Sequence, residues 1–597
     1  MELLNLDGVI EKGVFEIPSY QRGYAWQMKQ LEDFWNDLEH VSKLENKFHY
    51  MHSLTLRKSD DDFGDIDFEI IDGQQRLATS LILLGLLAKT TQNKDPKYSL
   101  INLEPILSYK YYGLNEAFRA ITEEEKDLER FQISFYAKNL IDAYAFFKEK
   151  ISETPVGTLE KMFDALIKKM LFSVVGLNDN RIDPFSSFET INNRGKDLST
   201  LELFKNRLHF VAHKICDGKK LEKLQNEIND TYTRIYYDLG QFKDDHLEGF
   251  LKHFVAYYYG ENSKFKERLL NTAFDAHKKY DDLYDEYEKI NDLLLYLSYS
   301  SKVWYFLHTL DDEELRIEIT PKMRGLLDKM RRLNALRDNA FLSLLLSLLT
   351  IQLVGRSANE QPYTTKELEG LLEYLERFGF LIYGVAGKNT AKNEWIELAF
   401  MAFRAYRYGG ENIAIEKLPT LEKSFFNRQG NSGLELLEEC IHSKKNTEKW
   451  YQWGKALNYL LYEYELHHNP ETTLNFDSSI ESIEHILPQK PDQGYSAKEK
   501  SWAKNPHIVH ALGNLLLIAK NANSSLSNKP FNEKRKEYLK GSYSEKEVAK
   551  NASFGVVQIK ERSEKLLDFL IARYRIAELV NESAIKAFKN ALLKDIE

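Results

Sequence analysis

Between Leu201 and about Ser443, Leu, Phe and Tyr recur at three- and four-residue spacing, and almost nothing reads as a strand. Side chains at that period line one face of an α-helix, so the stretch buries them by packing helix on helix. Strand-like runs and turn signals gather at the two ends. The expected fold is therefore α+β and predominantly helical, with a first domain over 1–200, a helical connecting region over 201–445 and a last domain over 446–597. A chain of 597 residues is too long for one hydrophobic core. Clusters such as Tyr257-Tyr258-Tyr259 read as core rather than base-stacking surface. The longest apolar run, Phe341 to Val354, is broken by Ser343, Ser347, Thr350 and Gln352 and reads as a buried helix, not a membrane span.

Cysteine usage narrows the chemistry. Cys216 and Cys440 lie far apart with no ligand spacing, which excludes a disulfide scaffold and a cysteine zinc site. Neither lies in the amino-terminal loops, which argues against a redox role there. No basic and apolar leader opens the chain, so a soluble cytoplasmic protein is expected. Net charge is −10, yet Lys498 to Lys565 carries fourteen Lys or Arg against seven Glu and no Asp. That segment can offset several phosphates whatever the sign of the whole chain; a solvated face at Lys534-Arg535-Lys536 is the alternative.

At the amino-terminal end, a short strand-like run ends at Pro18 and leads into Ser19-Tyr20-Gln21-Arg22-Gly23-Tyr24-Ala25-Trp26. A helix is expected from about Gln30 to Lys47, and a strand over Phe48 to Arg57. Phe68-Glu69-Ile70-Ile71 then runs directly into Asp72-Gly73-Gln74-Gln75-Arg76, where a helix begins. Gly73 permits a sharp turn, and the first N–H groups of the helix point into the loop, where an anion is welcome. Gln74, Gln75 and Arg76 add neutral donors and a fixed cation suited to phosphate. An ordinary turn capped by Asp72 is the alternative. No P-loop pattern occurs. A third polar loop, Asn192-Asn193-Arg194-Gly195-Lys196, follows the strand Leu171 to Val175, with Ser199 or Thr200 capping the next helix and Glu202 in its first turn.

The last domain holds a helix ending at His467-His468, then Ser482-Ile483-Glu484-His485-Ile486-Leu487-Pro488-Gln489, answered by Leu512-Gly513-Asn514-Leu515 and Asn523. A carboxylate beside an imidazole, with Asn downstream, suits metal-assisted phosphodiester hydrolysis. Glu484 and Asn523 offer oxygen to a hard cation, and a neutral His485 takes a proton from water. A buried structural His is the alternative. Strand, strand over 512–518, and one helix from about Asn523 through Phe531 and Lys534 is the layout of a ββα-metal (HNH) nuclease.

With these motifs in place, the chain resembles the GmrSD-type family of modification-dependent, type IV restriction proteins. The first half is similar to the GmrS-like domain with its ParB/sulfiredoxin-like fold, through Ile17 to Trp26, Ile71 to Thr79 and Phe188 to Leu198. The end is similar to the GmrD-like HNH domain, through Glu484 to Gln489, Gly513 to Leu515 and Asn523 to Lys529. The resemblance implies an NTP-hydrolysing domain regulating a DNA-cutting one in antiviral defence. Asp72, Gly73, Gln74, Gln75 and Arg76 would form the nucleotide site, with Tyr20, Gln21, Arg22, Asn193 and Arg194 around it. In the nuclease domain it implies His485 as general base, Asn514 holding the loop and orienting it, and Glu484 and Asn523 as metal ligands, with Asn521 and Asn528 as the alternatives to Asn523. Lys534 and Arg535 would meet the DNA backbone, or Lys534 the charge building on the scissile phosphate.

The implied cofactors are Mg²⁺ or Mn²⁺ and an NTP (GTP, ATP or UTP); the implied partner is double-stranded phage DNA carrying a modification. No membrane partner is expected, and a homo-oligomer stays open. Two rival readings use the same residues: a nucleotide-switched DNA-binding regulator with an inactive HNH domain, and an abortive-infection nuclease acting on host nucleic acid.

Overall fold

The computed structural model describes residues 2–596 except 19–20, 22, 60–64, 94–95, 99–105, 111–112, 178–198, 240–243, 262, 276–277, 279, 281, 313–314, 316, 335–340, 386–390, 411–453, 475–480, 492, 579–580 and 595. Tyr20, Arg22, Asn193 and Arg194 thus lie outside the described residues. The chain divides into two compact units, Met1–Leu315 and Arg316–Glu597.

Six strands make one mixed sheet in the first unit. They are β1 (Glu2–Asn5), β2 (Phe15–Ile17), β3 (His49–Lys58), β4 (Phe68–Asp72), β5 (Leu107–Tyr109) and β6 (Met170–Gly176). Their order is β1-β6-β3-β4-β2-β5. β1 runs antiparallel to β6 and β3 antiparallel to β4, while the β3–β6, β2–β4 and β2–β5 pairs are parallel. β1 and β5 were not anticipated, because runs of four and three residues carry too little alternation to read. The helix Gln74–Thr90 is apolar on every side and buried, packing against helices Phe135–Glu153 and Val156–Lys169. Its Leu77, Leu81, Leu84 and Leu87 are fully enclosed, each contributing roughly 1.5–3 kcal/mol. The helix expected from Gln30 starts at Met28 and stops at Ser42, with Leu31, Phe34, Trp35, Leu38 and Val41 as its inner stripe.

Helices Thr200–Ile215, Gly218–Leu239, Asp244–Tyr259 and Leu283–Thr309 complete this unit. Ser199 caps the first through a reciprocal bond with Glu202. Tyr257 is core, its hydroxyl 2.6 Å from that of Ser300.

The second unit assembles helices Pro321–Asn334, Leu342–Ser357, Thr365–Phe378, Lys392–Tyr408, Lys455–His468 and Val556–Arg573. Four of them meet at two buried carboxylates and their half-buried cations: Arg573 pairs with Glu376 (2.8 Å) and Glu463 (3.1 Å), and Lys329 with Glu463 (2.7 Å). The apolar run from Phe341 is the buried helix expected, and no described helix is long and apolar enough to cross a membrane.

Beside the helices lies a two-stranded antiparallel hairpin, β7 (Glu481–His485) on β8 (Leu515–Ala519), with Glu484 opposite Leu516 and His485 opposite Leu515. Two expectations need correcting here. Leu512–Asn514 is a tight 3₁₀ turn that precedes β8. The single helix expected after it is two, Lys520–Leu526 and Phe531–Tyr538. Ser527, at φ +45°, breaks the first, and Pro530 has no N–H to continue it.

Candidate functional site

The sequence singles out two loops, one in each unit. In the first, β4 ends at Asp72 and Gly73 adopts φ +98°; a Cβ there would stand 2.9 Å from the Ser53 carbonyl oxygen. Asp72 does not cap the helix. Its Oδ2 accepts from the Ser53 hydroxyl (2.9 Å) and pairs with Arg76 Nη2 (3.2 Å), which also donates to the Ser53 carbonyl (2.7 Å). Arg76 Nε is buried without a hydrogen-bond partner among the described residues.

The glutamines do something the sequence did not show. Gln75 Nε2 donates to the Gly23 carbonyl (2.9 Å) and its Oε1 accepts from Ala25 N–H (2.8 Å). Gln21 Nε2 donates to the carbonyls of Ile70 (3.2 Å) and Ile71 (2.8 Å), and Gln74 Nε2 donates to Gln21 Oε1 (3.1 Å). These amides bolt the segment around Gln21 to Ala25 onto the Asp72 turn. Asp72 and Arg76, each about a quarter exposed, are the charged pair at the turn.

The second loop is the end of the hairpin. Adjacent strand residues leave on opposite faces, so Glu484 and His485 find different partners. Glu484, 4% exposed, pairs through Oε1 with Lys534 Nζ and accepts from the Tyr538 hydroxyl (3.1 Å). Lys534 also donates to the carbonyls of His485 (2.9 Å) and Ile486 (3.3 Å), and so touches both residues of the motif. Burial holds the Glu484 pKa above the ordinary carboxylate value despite Lys534, and holds that of Lys534 below the ordinary ammonium value despite Glu484. With its side chain fully enclosed, Lys534 has no exposed surface to present to a DNA backbone. Arg535 is half-buried, its Nε donating to the Ala549 carbonyl (2.8 Å).

His485 Nε2 lies 3.1 Å from Nδ1 of His510, with the rings edge to face, and the Gln489 amide stands 3.3 Å from His485 Nδ1. Burial, then the neighbouring His510 and Lys534, push the His485 pKa down to about 3. The folded chain thus keeps this ring neutral where an unfolded His, with a pKa of 6.5, takes up a proton. The stability that follows is complete above pH 6.5 and falls by about 1.4 kcal/mol per pH unit below it, towards the folded value. Urea unfolding at about pH 7.5 and 5.5 is expected to show this loss, and His485→Gln to reduce it, with His209 and His468, whose pKa values burial also lowers, accounting for what remains. An equal loss in the variant would assign the acid sensitivity to another group.

Asn514 is completely enclosed. Its Oδ1 accepts from Leu487 N–H (2.8 Å), and its Nδ2 donates to the carbonyls of Leu487 (2.9 Å) and Val509 (2.7 Å). It pins the loop that follows His485 to the turn before β8. Asn523 Nδ2 donates to the Ser482 hydroxyl (2.7 Å) and the Ile483 carbonyl (3.1 Å), leaving Oδ1 as its other end. Glu484 and Asn523 carry carboxylate and amide oxygen, the donor type of Mg²⁺ or Mn²⁺, and Glu484 Oε1 is already engaged by Lys534 and Tyr538. Among the described residues no three His, Cys, Asp or Glu side chains converge on one point. A hard cation here would complete its shell with water and phosphate oxygens.

Sequence reasoning missed His510, Tyr538 and the contact of Gln489 with His485. His510 lies 25 positions from its partner and Tyr538 lies 54 from Glu484. The one local hint is that His510 stands just before the Leu512-Gly513-Asn514 turn.

Comparison with known proteins gives two family matches. The model described as GmrSD restriction endonuclease, N-terminal domain, matches residues 3–209. The one described as GmrSD restriction endonucleases, C-terminal domain, matches residues 437–569. Together they span more than half of the chain and take in both loops. No curated protein matches.

Proposed function

The chain belongs to the GmrSD restriction endonuclease family, whose activity is cutting DNA, and we propose that the end of the β7–β8 hairpin is its cutting centre and the Asp72–Arg76 turn its nucleotide site. The observation that carries this reading is the geometry at His485: its Nε2 lies 3.1 Å from His510 Nδ1, and the ring stands one residue from a carboxylate. The neutral form is the one able to take a proton, while a pKa of about 3 makes the ring a weaker base than the near-neutral value suited to the task. It is therefore the position of His485, and not its basicity, that supports the role. His485 would take the proton of the attacking water, and His510 would accept a hydrogen bond from the imidazolium that forms. Asn514 keeps the following loop in place. Lys534 holds Glu484 and the strand-end carbonyls, so its part is positioning. A divalent ion on Glu484 and Asn523 would neutralise charge on the scissile phosphate and on the leaving oxygen.

At the other turn, the Arg76 guanidinium, about a quarter exposed, suits the phosphates of an NTP, and Asp72 would steer it. Nucleotide turnover would gate cutting, so that modified phage DNA is attacked and host DNA spared. In the amino-terminal half this reading takes a ParB/sulfiredoxin-like fold, and in the carboxy-terminal part an HNH one.

One observation favours the rival, a nucleotide-switched DNA-binding protein that does not cut: an ammonium already engages Glu484 Oε1. A single assay separates the two. The full chain is incubated with modified and unmodified phage DNA, Mg²⁺ or Mn²⁺, and GTP, ATP or UTP. Cutting of modified DNA is expected, abolished by chelating the metal. Asp72→Ala and Arg76→Ala are each expected to slow NTP hydrolysis roughly tenfold or more, the loss of one charge-assisted contact of about 1.5–3 kcal/mol. Hydrolysis without cutting under every condition would favour the switch, and unchanged turnover in both variants would remove the proposed nucleotide site.

A further inference from the structure

The carboxy-terminal unit carries an excess of cations over Lys498–Lys565, yet Lys534 is enclosed with Glu484 and Arg535 is tied to the Ala549 carbonyl. Cations that face solvent lie beside them instead. An open groove of about 710 Å³ runs between the segment after Gln489 and the break that separates the two short helices. Lys500 and Gln493 line one side, and Ser527, Asn528 and Lys529 the other. The walls are fastened to each other: the Tyr495 hydroxyl donates to the Lys529 carbonyl (2.5 Å), and a Cβ on Gly494 would come within 2.8 Å of Pro530.

Both walls begin at the cutting centre. Gln489, whose amide meets His485, stands two positions before Pro491, where one wall starts. On the other, Ser527 N–H donates to the carbonyl of Asn523 (3.0 Å). Ser527 holds its φ of +45° without being glycine, a strained backbone of the kind that gathers at ligand-binding loops. Lys500 and Lys529 are exposed, and neither ammonium has an ion-pair partner among the described residues. Lys498, on the same helix as Lys500, instead lies over the Trp502 ring. Among the described residues of the lining, the carboxylate is Glu533.

We propose that this groove seats the DNA backbone beside the scissile phosphate, with Lys500 and Lys529 each neutralising one phosphate and the amides of Gln493 and Asn528 adding uncharged hydrogen bonds to phosphate and sugar oxygens. The proposal rests on the hairpin being a DNA-cutting centre. Glu533 forms the edge that the backbone avoids.

Binding of a labelled DNA duplex to the full chain, measured in EDTA across a salt series, tests it. Neutralising two phosphates contributes about 1.8 to the slope of log affinity against log salt, so Lys500→Ala with Lys529→Ala should flatten the slope by roughly that amount. The same double variant should weaken binding roughly tenfold at moderate salt. Glu533→Gln should tighten binding, and Lys586→Ala, an exposed lysine outside the groove, should leave it unchanged. Wild-type affinity and slope in the double variant would overturn the groove while the nuclease reading stands, provided that cutting still depends on His485. A wild-type chain that neither binds nor cuts the duplex would overturn both.

Discussion

Replacing His485 by Ala is expected to slow DNA cleavage on the order of 10²- to 10⁴-fold, the contribution of a positioned general base. Cleavage should fall at saturating metal and DNA alike, because the lost group acts on the attacking water rather than on binding. Nucleotide turnover should be untouched, since the Asp72–Arg76 turn belongs to the other unit. The hairpin should survive, because its register rests on backbone pairs from Glu481 to His485 and the loop is held by Asn514. Single-turnover nicking of a modified duplex, with NTP hydrolysis measured in parallel, checks both halves. Cleavage within about twofold of wild type would remove His485 from the chemistry and leave it a buried structural imidazole. His510→Ala should give a smaller defect, since His510 touches His485 and not the water.

The largest effect on stability is expected from Lys534→Ala. Its ammonium is enclosed and serves Glu484 and two carbonyls at the strand end. Removing it strands a buried carboxylate, and breaking a buried pair in this way costs about 3–5 kcal/mol. A typical domain has only about 5–15 kcal/mol in hand, so much of the second unit's margin would go. Lys534→Met with Glu484→Gln should recover most of the loss, because both charges leave together and the volume is kept. The pH dependence gives an independent sign. The Glu484 pKa is already raised in the folded chain, so folding favours its protonated form, and the group loses stability as pH rises from 4.5 through the folded value. Without Lys534 that window widens upward, so the deficit of Lys534→Ala should be largest near neutral pH and shrink on acidification. Urea unfolding of wild type, single and double variants at several pH values gives the cycle. A single variant as stable as wild type would mean that water reaches Glu484, and that the pair is not the buried one the structure shows.

Much of the architecture could be read from local pattern. The amphipathic stripe of Leu31, Phe34, Trp35, Leu38 and Val41 marks its helix, and the Asp72-Gly73 turn follows from a residue tolerant of positive φ between a strand run and a helical run. A cap at Ser199 or Thr200 could be read from the local residues, and in the fold it is Ser199, paired with Glu202. The helix break at Ser527 was missed because Pro530 was the only local cue and nothing marked Ser527 itself. The helical stretch read as one region is divided between the two units, and which helices join which unit depends on contacts between distant segments.

The sequence by itself therefore determined the periods, the turns and the neighbours along the chain: a helix-rich protein, Glu484 beside His485, Asp72 four residues from Arg76, and a motif order specific enough to indicate the family. Tertiary structure alone decided what those side chains do. It turned Gln21 and Gln75 from free donors into bolts on backbone carbonyls, enclosed Lys534, and brought His510 to His485. The physical reason is range. Propensity and amphipathicity act over a few residues, whereas a hydrogen bond or a buried ion pair is chosen when distant segments meet and every enclosed polar group must find a partner.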